Sequence, residues 1–341
     1  MDERKMRVLQ AIVEDYVATA EPVGSRTIAR RYGLGVSAAT IRNEMADLEE
    51  QGYLEQPHAS AGRIPSDKGY RYYVDFLMRV KPLPAEVLRR VQQVCEGKVQ
   101  AMEVVLQQVA RLLAEATGSL AILVGPQAGQ MVFRHIDLVP VAAGRALLVA
   151  VGDVGLLGSG IIEVPPELTP AELSYVGQLL DRTLYGTTVR TLGASALREL
   201  ETEMARYRRV LAEVMELLAS LGREDGGERL YLVGLSFLLS QPEFSERDRL
   251  QLVVSVLEHE PLLKSLLGAS GESGVVISIG EENALVETRE LGMVLAPYRA
   301  GATSGRMAVL GPKRMDYGRA VGAVSDFERV LSDSLGIWGG G

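Results

Sequence analysis

The stretch from Ser25 to Pro65 constrains this chain more than any other. Ala38, Ile41, Met45 and Leu48 fall at steps of three, four and three, which places them on one stripe of a helix. Ser37 stands where that helix needs an N-cap and Gly52 where it must end. Just before it, Ile28, Ala29 and Tyr32 supply the buried side of a shorter helix that Ser25 can cap and Gly33 can close. A longer helix precedes both, with Met6, Leu9, Ile12, Val13, Tyr16 and Val17 on its inner stripe and Arg4, Arg7, Glu14 and Asp15 outside it. Two helices across a tight glycine turn, backed by a supporting helix, make a helix-turn-helix. After Gly52, the alternating run Tyr53-Leu54-Glu55-Gln56 and the small-residue loop from Pro57 to Pro65 read as a hairpin wing. Ser66 then caps a fourth helix that buries Tyr70, Tyr73, Val74 and Leu77. Residues 1–80 are therefore expected to form a winged helix-turn-helix domain.

The chemistry on this scaffold suits double-stranded DNA recognition, with a winged helix used for protein contacts as the alternative that the acid-free stretch from Pro22 to Asn43 weighs against. Ala39 and Asn43 lie opposite the apolar stripe of the third helix, with Thr40 and Arg42 on its flanks. Asn can pair with the edge of adenine, Arg with that of guanine, and an Ala or Thr methyl can touch the methyl of thymine. Asn43 reads a base or braces the turn; both roles suit its position. Ser37 and the amides of the helix start face a phosphate, and Ser25 and Arg26 open the helix before it. Arg63 is expected at the tip of the wing, gripping phosphate or the minor groove, with His58 beside it.

The net charge of -8 weighs against a nucleic-acid partner, because such affinity rests largely on phosphate neutralisation. The distribution answers this. Residues 1–80 hold 11 Lys+Arg against 12 Asp+Glu, while the remainder holds 25 against 32. From Pro22 to Asn43 there are four arginines, Arg26, Arg30, Arg31 and Arg42, and no acid.

With 341 residues and 47% hydrophobic content, the chain has material for two or three domains. Apolar runs such as Ala146 to Val151 are far shorter than the ~18 residues of a membrane helix. The charged start, Met1-Asp2-Glu3-Arg4-Lys5-Met6, lacks the apolar core of a signal peptide. A cytoplasmic location is expected, without a membrane partner. Cys95, the single cysteine, reads as packing. From Pro82 to Thr117 the pattern is helical. Strand-like runs then follow at Ala121 to Val124, Met131 to Val139, Arg145 to Val151 and Gly160 to Val164, and return at Val275 to Ile279, Met293 to Arg299 and Met307 to Leu310, before a last helix from about Asp316 to Leu335. Strands split by a long helical stretch suggest one α+β domain with another inserted in it. Within that stretch Leu197, Leu200, Met204, Tyr207, Leu211, Val214, Leu218 and Leu221 alternate steps of three and four. That is a coiled-coil seam or the inner face of an ordinary core helix, and both readings stay open.

Three blocks carry a family resemblance: Pro22-Val23-Gly24-Ser25-Arg26-Thr27-Ile28-Ala29, then Ser37 to Glu49, then Pro57 to Ser66. In this order and spacing they resemble the HrcA family of heat-inducible transcription repressors. The run Leu230 to Phe244, Leu-Tyr-Leu-Val-Gly-Leu-Ser-Phe-Leu-Leu-Ser-Gln-Pro-Glu-Phe, extends the likeness. The resemblance implies a multidomain α+β chain: a winged helix over 1–80, a connecting helix over 81–117, a discontinuous GAF-like domain over 118–154 and 229–341, and an inserted helical or α+β dimerisation domain over 155–228. It further implies a homodimer that binds the inverted-repeat CIRCE operator of chaperone operons, and the chaperonin GroEL as the partner that maintains the active repressor. A metabolite-sensing regulator using the GAF-like domain is the alternative.

No enzyme constellation is found. His58, His135 and His259 lack companions at metal-ligand spacing, so no metal, cofactor or catalytic residue is assigned. Gly152 to Gly160 lacks the order of a dinucleotide or phosphate loop and reads as a hairpin turn. Gly268-Ala269-Ser270-Gly271-Glu272 has Glu where a nucleophile elbow needs its last glycine, and reads as a loop.

Overall fold

The computed structural model describes every residue except 97–101, 127–129, 189–190, 192–206, 223–228, 246, 269–273 and 339–341, and except the side chains of 219–222, 247–249 and 337–338. The N-terminal head is built from α1 (Glu3–Thr19), α2 (Ser25–Arg31) and α3 (Ala38–Glu50). Leu9, Ile12, Ile28, Ile41 and Leu48 from these three helices are fully buried together. The cap of α2 is Gly24, with Ser25 already the first helical residue and no side-chain cap bond made. Gly33 and Gly35, at φ +54° and +73°, turn the chain into α3 through a backbone region that side chains with a Cβ rarely enter. Strands β1 (Leu54–Glu55) and β2 (Ile64–Pro65) pair antiparallel to form the wing. Its return leg also pairs with the lead-in to α2 through a Val23–Arg63 bridge. Helix α4 (Asp67–Tyr72), capped by Ser66, continues into a π turn over Tyr73–Leu77.

The stretch expected as one connecting helix holds two, α5 (Ala85–Cys95) and α6 (Met102–Thr117). They belong to the body, because Val91, Cys95, Val105, Val109 and Leu112 are all buried and an apolar face of that size must be covered. The chain then enters β3 (Leu120–Val124) and leaves the body for the insert.

The insert starts earlier than the expected residue 155. Strands β4 (Phe133–Ala142), β5 (Arg145–Gly152) and β6 (Gly155–Glu163) pair with one another in an antiparallel meander and not with the larger sheet. Helices α7 (Pro170–Leu184) and α8 (Arg208–Gly222) pack on this sheet. Gly152 to Gly160, expected as a turn, is mostly strand. The turn is confined to Asp153 and Val154, and a Cβ on Gly160 would lie 2.8 Å from a Leu217 methyl, so the glycine admits α8. The heptad seam is also resolved in part. Leu211, Val214 and Leu218 are at most 4% exposed within one chain, and α8 contacts β6, so this part of the seam serves an ordinary core helix. Leu197, Leu200 and Met204 lie outside the described residues, as does the side chain of Leu221, and Tyr207 is half-buried.

The chain returns through β7 (Leu230–Val233), α9 (Leu235–Leu239), α10 (Arg247–Glu258), α11 (Glu260–Gly268), β8 (Val276–Ile279), β9 (Leu291–Ala300), β10 (Thr303–Pro312) and α12 (Tyr317–Trp338). The body sheet is antiparallel in the order β7-β3-β10-β9-β8. Leu120 to Val124 of β3, Met293 to Ala296 of β9 and Met307 to Leu310 of β10 read as apolar runs because helices cover both faces of the sheet there. Leu120, Ile122 and Val124 meet Leu238, Phe244, Val253 and Leu263 on one side, while Ala121 and Leu123 face the layer of α5, α6 and α12. This second core continues without a break into those of the head and the insert. No helix among the described residues is long and apolar enough to cross a membrane.

Candidate nucleic-acid interface

Ser37 fixes the start of α3. Its Oγ accepts from the Thr40 amide at 3.1 Å and lies 3.0 Å from the Thr40 hydroxyl, so both expected polar residues are engaged in the cap. Ala39, Arg42 and Asn43 are exposed on α3, and Arg26 and Arg30 are exposed on α2, with Ser25 half-buried. Among the described residues Arg26, Arg30 and Arg42 form no ion pair, which leaves their guanidinium groups to solvent or an anion. Arg31 is different. It pairs at 2.7 Å with Asp15, which is 5% exposed, and so ties α2 to α1; the carboxylate raises the guanidinium above its ordinary range.

The second half of α3 is acidic, yet its charge is compensated from elsewhere in the head. Lys5 lies 3.7 Å from Glu44 and 3.0 Å from Asp47, Arg4 lies 3.5 Å from Glu44, and Asp47 holds the Lys5 ammonium above the usual lysine range. Glu49 receives Arg63 at 2.7 Å. The first turns of α3 are thus the acid-free end of a helix whose acids Glu44, Asp47 and Glu49 are paired, with Glu50 exposed at the far end, a distribution that favours a polyanion at the Ser37 end.

Arg63 is not at the wing's tip. Its backbone exchanges two 2.9 Å hydrogen bonds with Val23, and its side chain, 19% exposed, turns back to Glu49 with Nε buried and unpartnered. The exposed tip is Pro57, His58, Ala59 and Ser60. It is braced by Gln56, whose amide donates to the Ala59 and Ala61 carbonyls, each at 3.0 Å. The structure adds Gln56, Glu49 and Lys5 to the residues that shape this surface. Gln56 could not be singled out beforehand, since in sequence it only continues an alternating strand.

Outside the head, His135 Nδ1 lies 3.0 Å from Asp181 Oδ1 and links β4 to α7. No three His, Cys, Asp or Glu side chains among the described residues are grouped to hold a metal ion. Cys95 is buried, and desolvation pushes its thiol up to about 11, which suits packing.

The head, with its two-stranded wing and exposed α3 start, defines a winged helix-turn-helix protein carrying a layered α+β body and an inserted three-stranded unit. The profile of the HrcA protein C terminal domain matches residues 103–321. The chain is 46% identical over 335 residues to the heat-inducible transcription repressor HrcA of Symbiobacterium thermophilum, covering 98% of both chains. It is 42% identical over 337 residues to that of Pelotomaculum thermopropionicum, covering 98% of this chain and 97% of the other. A crystal structure described as that of a hypothetical protein shares the fold with a TM-score of 0.66 and 25% identity over 99% of each chain. The chain belongs to the HrcA family.

Proposed function

We propose that this protein is a heat-inducible transcription repressor that binds an inverted-repeat operator of the CIRCE type as a homodimer and acts without a catalytic step. The observation that carries this reading is the start of α3, where Arg42 and Asn43 are exposed beside Ala39 while Glu44 and Asp47 are compensated. Arg42 and Asn43 are the base-reading pair and Ser37, Thr40, Ser25 and Arg26 the phosphate side. His58 brings the wing tip to the duplex, and Arg63 supports that wing from behind.

A twofold operator requires a twofold protein. The meander of the insert offers the surface. Val139, Leu147 and Ile161 form one cross-strand row and Val151 and Leu156 another, on the face away from α7 and α8. Val139 is 42%, Ile161 53% and Leu156 61% exposed. An open apolar sheet face suits a second copy better than a seam already buried within the chain. The sensor alternative has less support, because the sheet face under α9, α10 and α11 is filled by Phe244 and leucines.

The decisive experiment is a mobility shift of the full-length protein on the chaperone-operon repeat and on a scrambled repeat, with and without GroEL. Retention of the repeat alone supports the reading, and a GroEL-dependent gain supports the chaperonin as partner. Equal retardation of both duplexes rejects sequence-specific repression.

A further inference from the structure

The head is seated on the body through close main-chain contact and polar pairs. Asp67 on α4 accepts from Lys313 Nζ and from the Glu281 amide, each at 2.9 Å. Arg71 Nε donates to Glu282 at 2.7 Å and its Nη2 to the Ile277 carbonyl at 2.9 Å. The linker after α4 lies flat on α12: the Lys81 amide donates to the Gly318 carbonyl at 3.0 Å, and a Cβ on Gly318 or Gly322 would overlap the linker's own carbonyl oxygens.

Arg314, in the turn after β10, differs from these. Its side chain is 12% exposed, and its donors serve three residues in two separate parts of the chain. Nη1 donates to the Val17 carbonyl in the last turn of α1 at 3.2 Å. Nη2 donates to Gln241 Oε1 at 2.8 Å and Glu243 Oε2 at 3.2 Å, and Nε pairs with Glu243 Oε1. The planar five-donor fork of arginine allows such simultaneous engagement, which a lysine cannot reproduce. Gln241-Pro242-Glu243-Phe244 closes the Leu230 to Phe244 run, which the DNA surface leaves unused. Phe244 roots it in the body core at 2% exposure. On the head side, α1 has no basic residue in its last turn, so its unpaired carbonyls receive their cation from the body.

We propose that Arg314, locked by Gln241 and Glu243, sets the angle of the winged helix on the body and thereby the half-site separation that the dimer accepts. It is a positioning residue, and the inference rests on the operator-binding reading above. Its lever is α1, which packs on α3 through the head core, so displacement at Val17 is carried to the recognition helix.

The test uses full-length Arg314→Ala, Arg314→Lys and Glu243→Gln. Anisotropy titrations compare a single half-site, the native repeat, and repeats whose spacer is longer or shorter by one or two base pairs; trypsin cleavage after Arg79, in the linker, reads the joint without DNA. We expect all three variants to lose about tenfold on the native repeat, to keep half-site affinity, to discriminate spacers less, and to be cut faster in the linker. Equal loss on half-site and repeat, or an unchanged spacer profile with unchanged cleavage, overturns the proposal. If the unaltered protein fails to prefer the repeat over random DNA, the operator reading is what fails. The cleavage rate then decides the joint: faster cutting in the variants upholds Arg314 as the anchor, and an unchanged rate overturns it.

Discussion

At the scale of single residues, two arginines that look equivalent in the sequence are placed differently. Arg42 is exposed without an ion pair among the described residues, whereas Arg63 is turned onto Glu49 at 2.7 Å. Arg42→Ala is expected to cost ~1 to 3 kcal/mol of operator binding and to relax base preference, measured by titrating operator variants. If random DNA is lost equally, Arg42 is a phosphate contact. Arg63→Ala is expected to weaken binding through a loosened wing while leaving the slope of log K against log salt unchanged. A slope reduced by about one would return Arg63 to the phosphate backbone. The exposure of Arg42 was legible because the apolar stripe of α3 leaves it on the flank of the open face. That of Arg63 was not, because Glu49 lies on a preceding helix and only the folded wing brings the two together.

At the scale of elements, the wing is short and its order comes from its neighbours. A Cβ on Gly62 would fall 2.5 Å from the Val23 carbonyl group, so Gly62→Ala must lift the wing from the Val23–Arg63 bridge. We expect a loss of about 1 to 3 kcal/mol of stability in urea unfolding, with weaker operator binding. A variant as stable as the parent would show that the bridge does not hold the wing. The helix caps at Ser37 and Ser66 could be placed from sequence, since a cap depends on three or four adjacent residues. The cap of α2 could not, because Gly24 and Ser25 are both acceptable there and the approach of the wing to Val23 decides between them. The packing of α5 against α6 and α12 is likewise a long-range matter.

For the whole molecule, the seam and the open sheet face predict opposite phenotypes. Leu218→Ala, in a side chain with no exposure, should destabilise the fold by ~2 to 5 kcal/mol and leave the oligomeric state at low temperature unchanged. Ile161→Lys, at 53% exposure, should dissociate the proposed dimer in sedimentation velocity while leaving thermal unfolding of the monomer nearly intact. The reverse pattern would make α8 the interface. The sequence by itself determined the winged helix, the strands of both sheets except β7 and the first half of β6, and the exposed start of α3, because helical period, caps and glycine turns are local signals. Tertiary structure alone decided which strands share a sheet, where the insert begins, what the heptad seam covers and where Arg63 points. Each of these depends on contacts between residues far apart in the chain, as does the pairing of Glu44, Asp47 and Glu49 beside the α3 start with Arg4, Lys5 and Arg63.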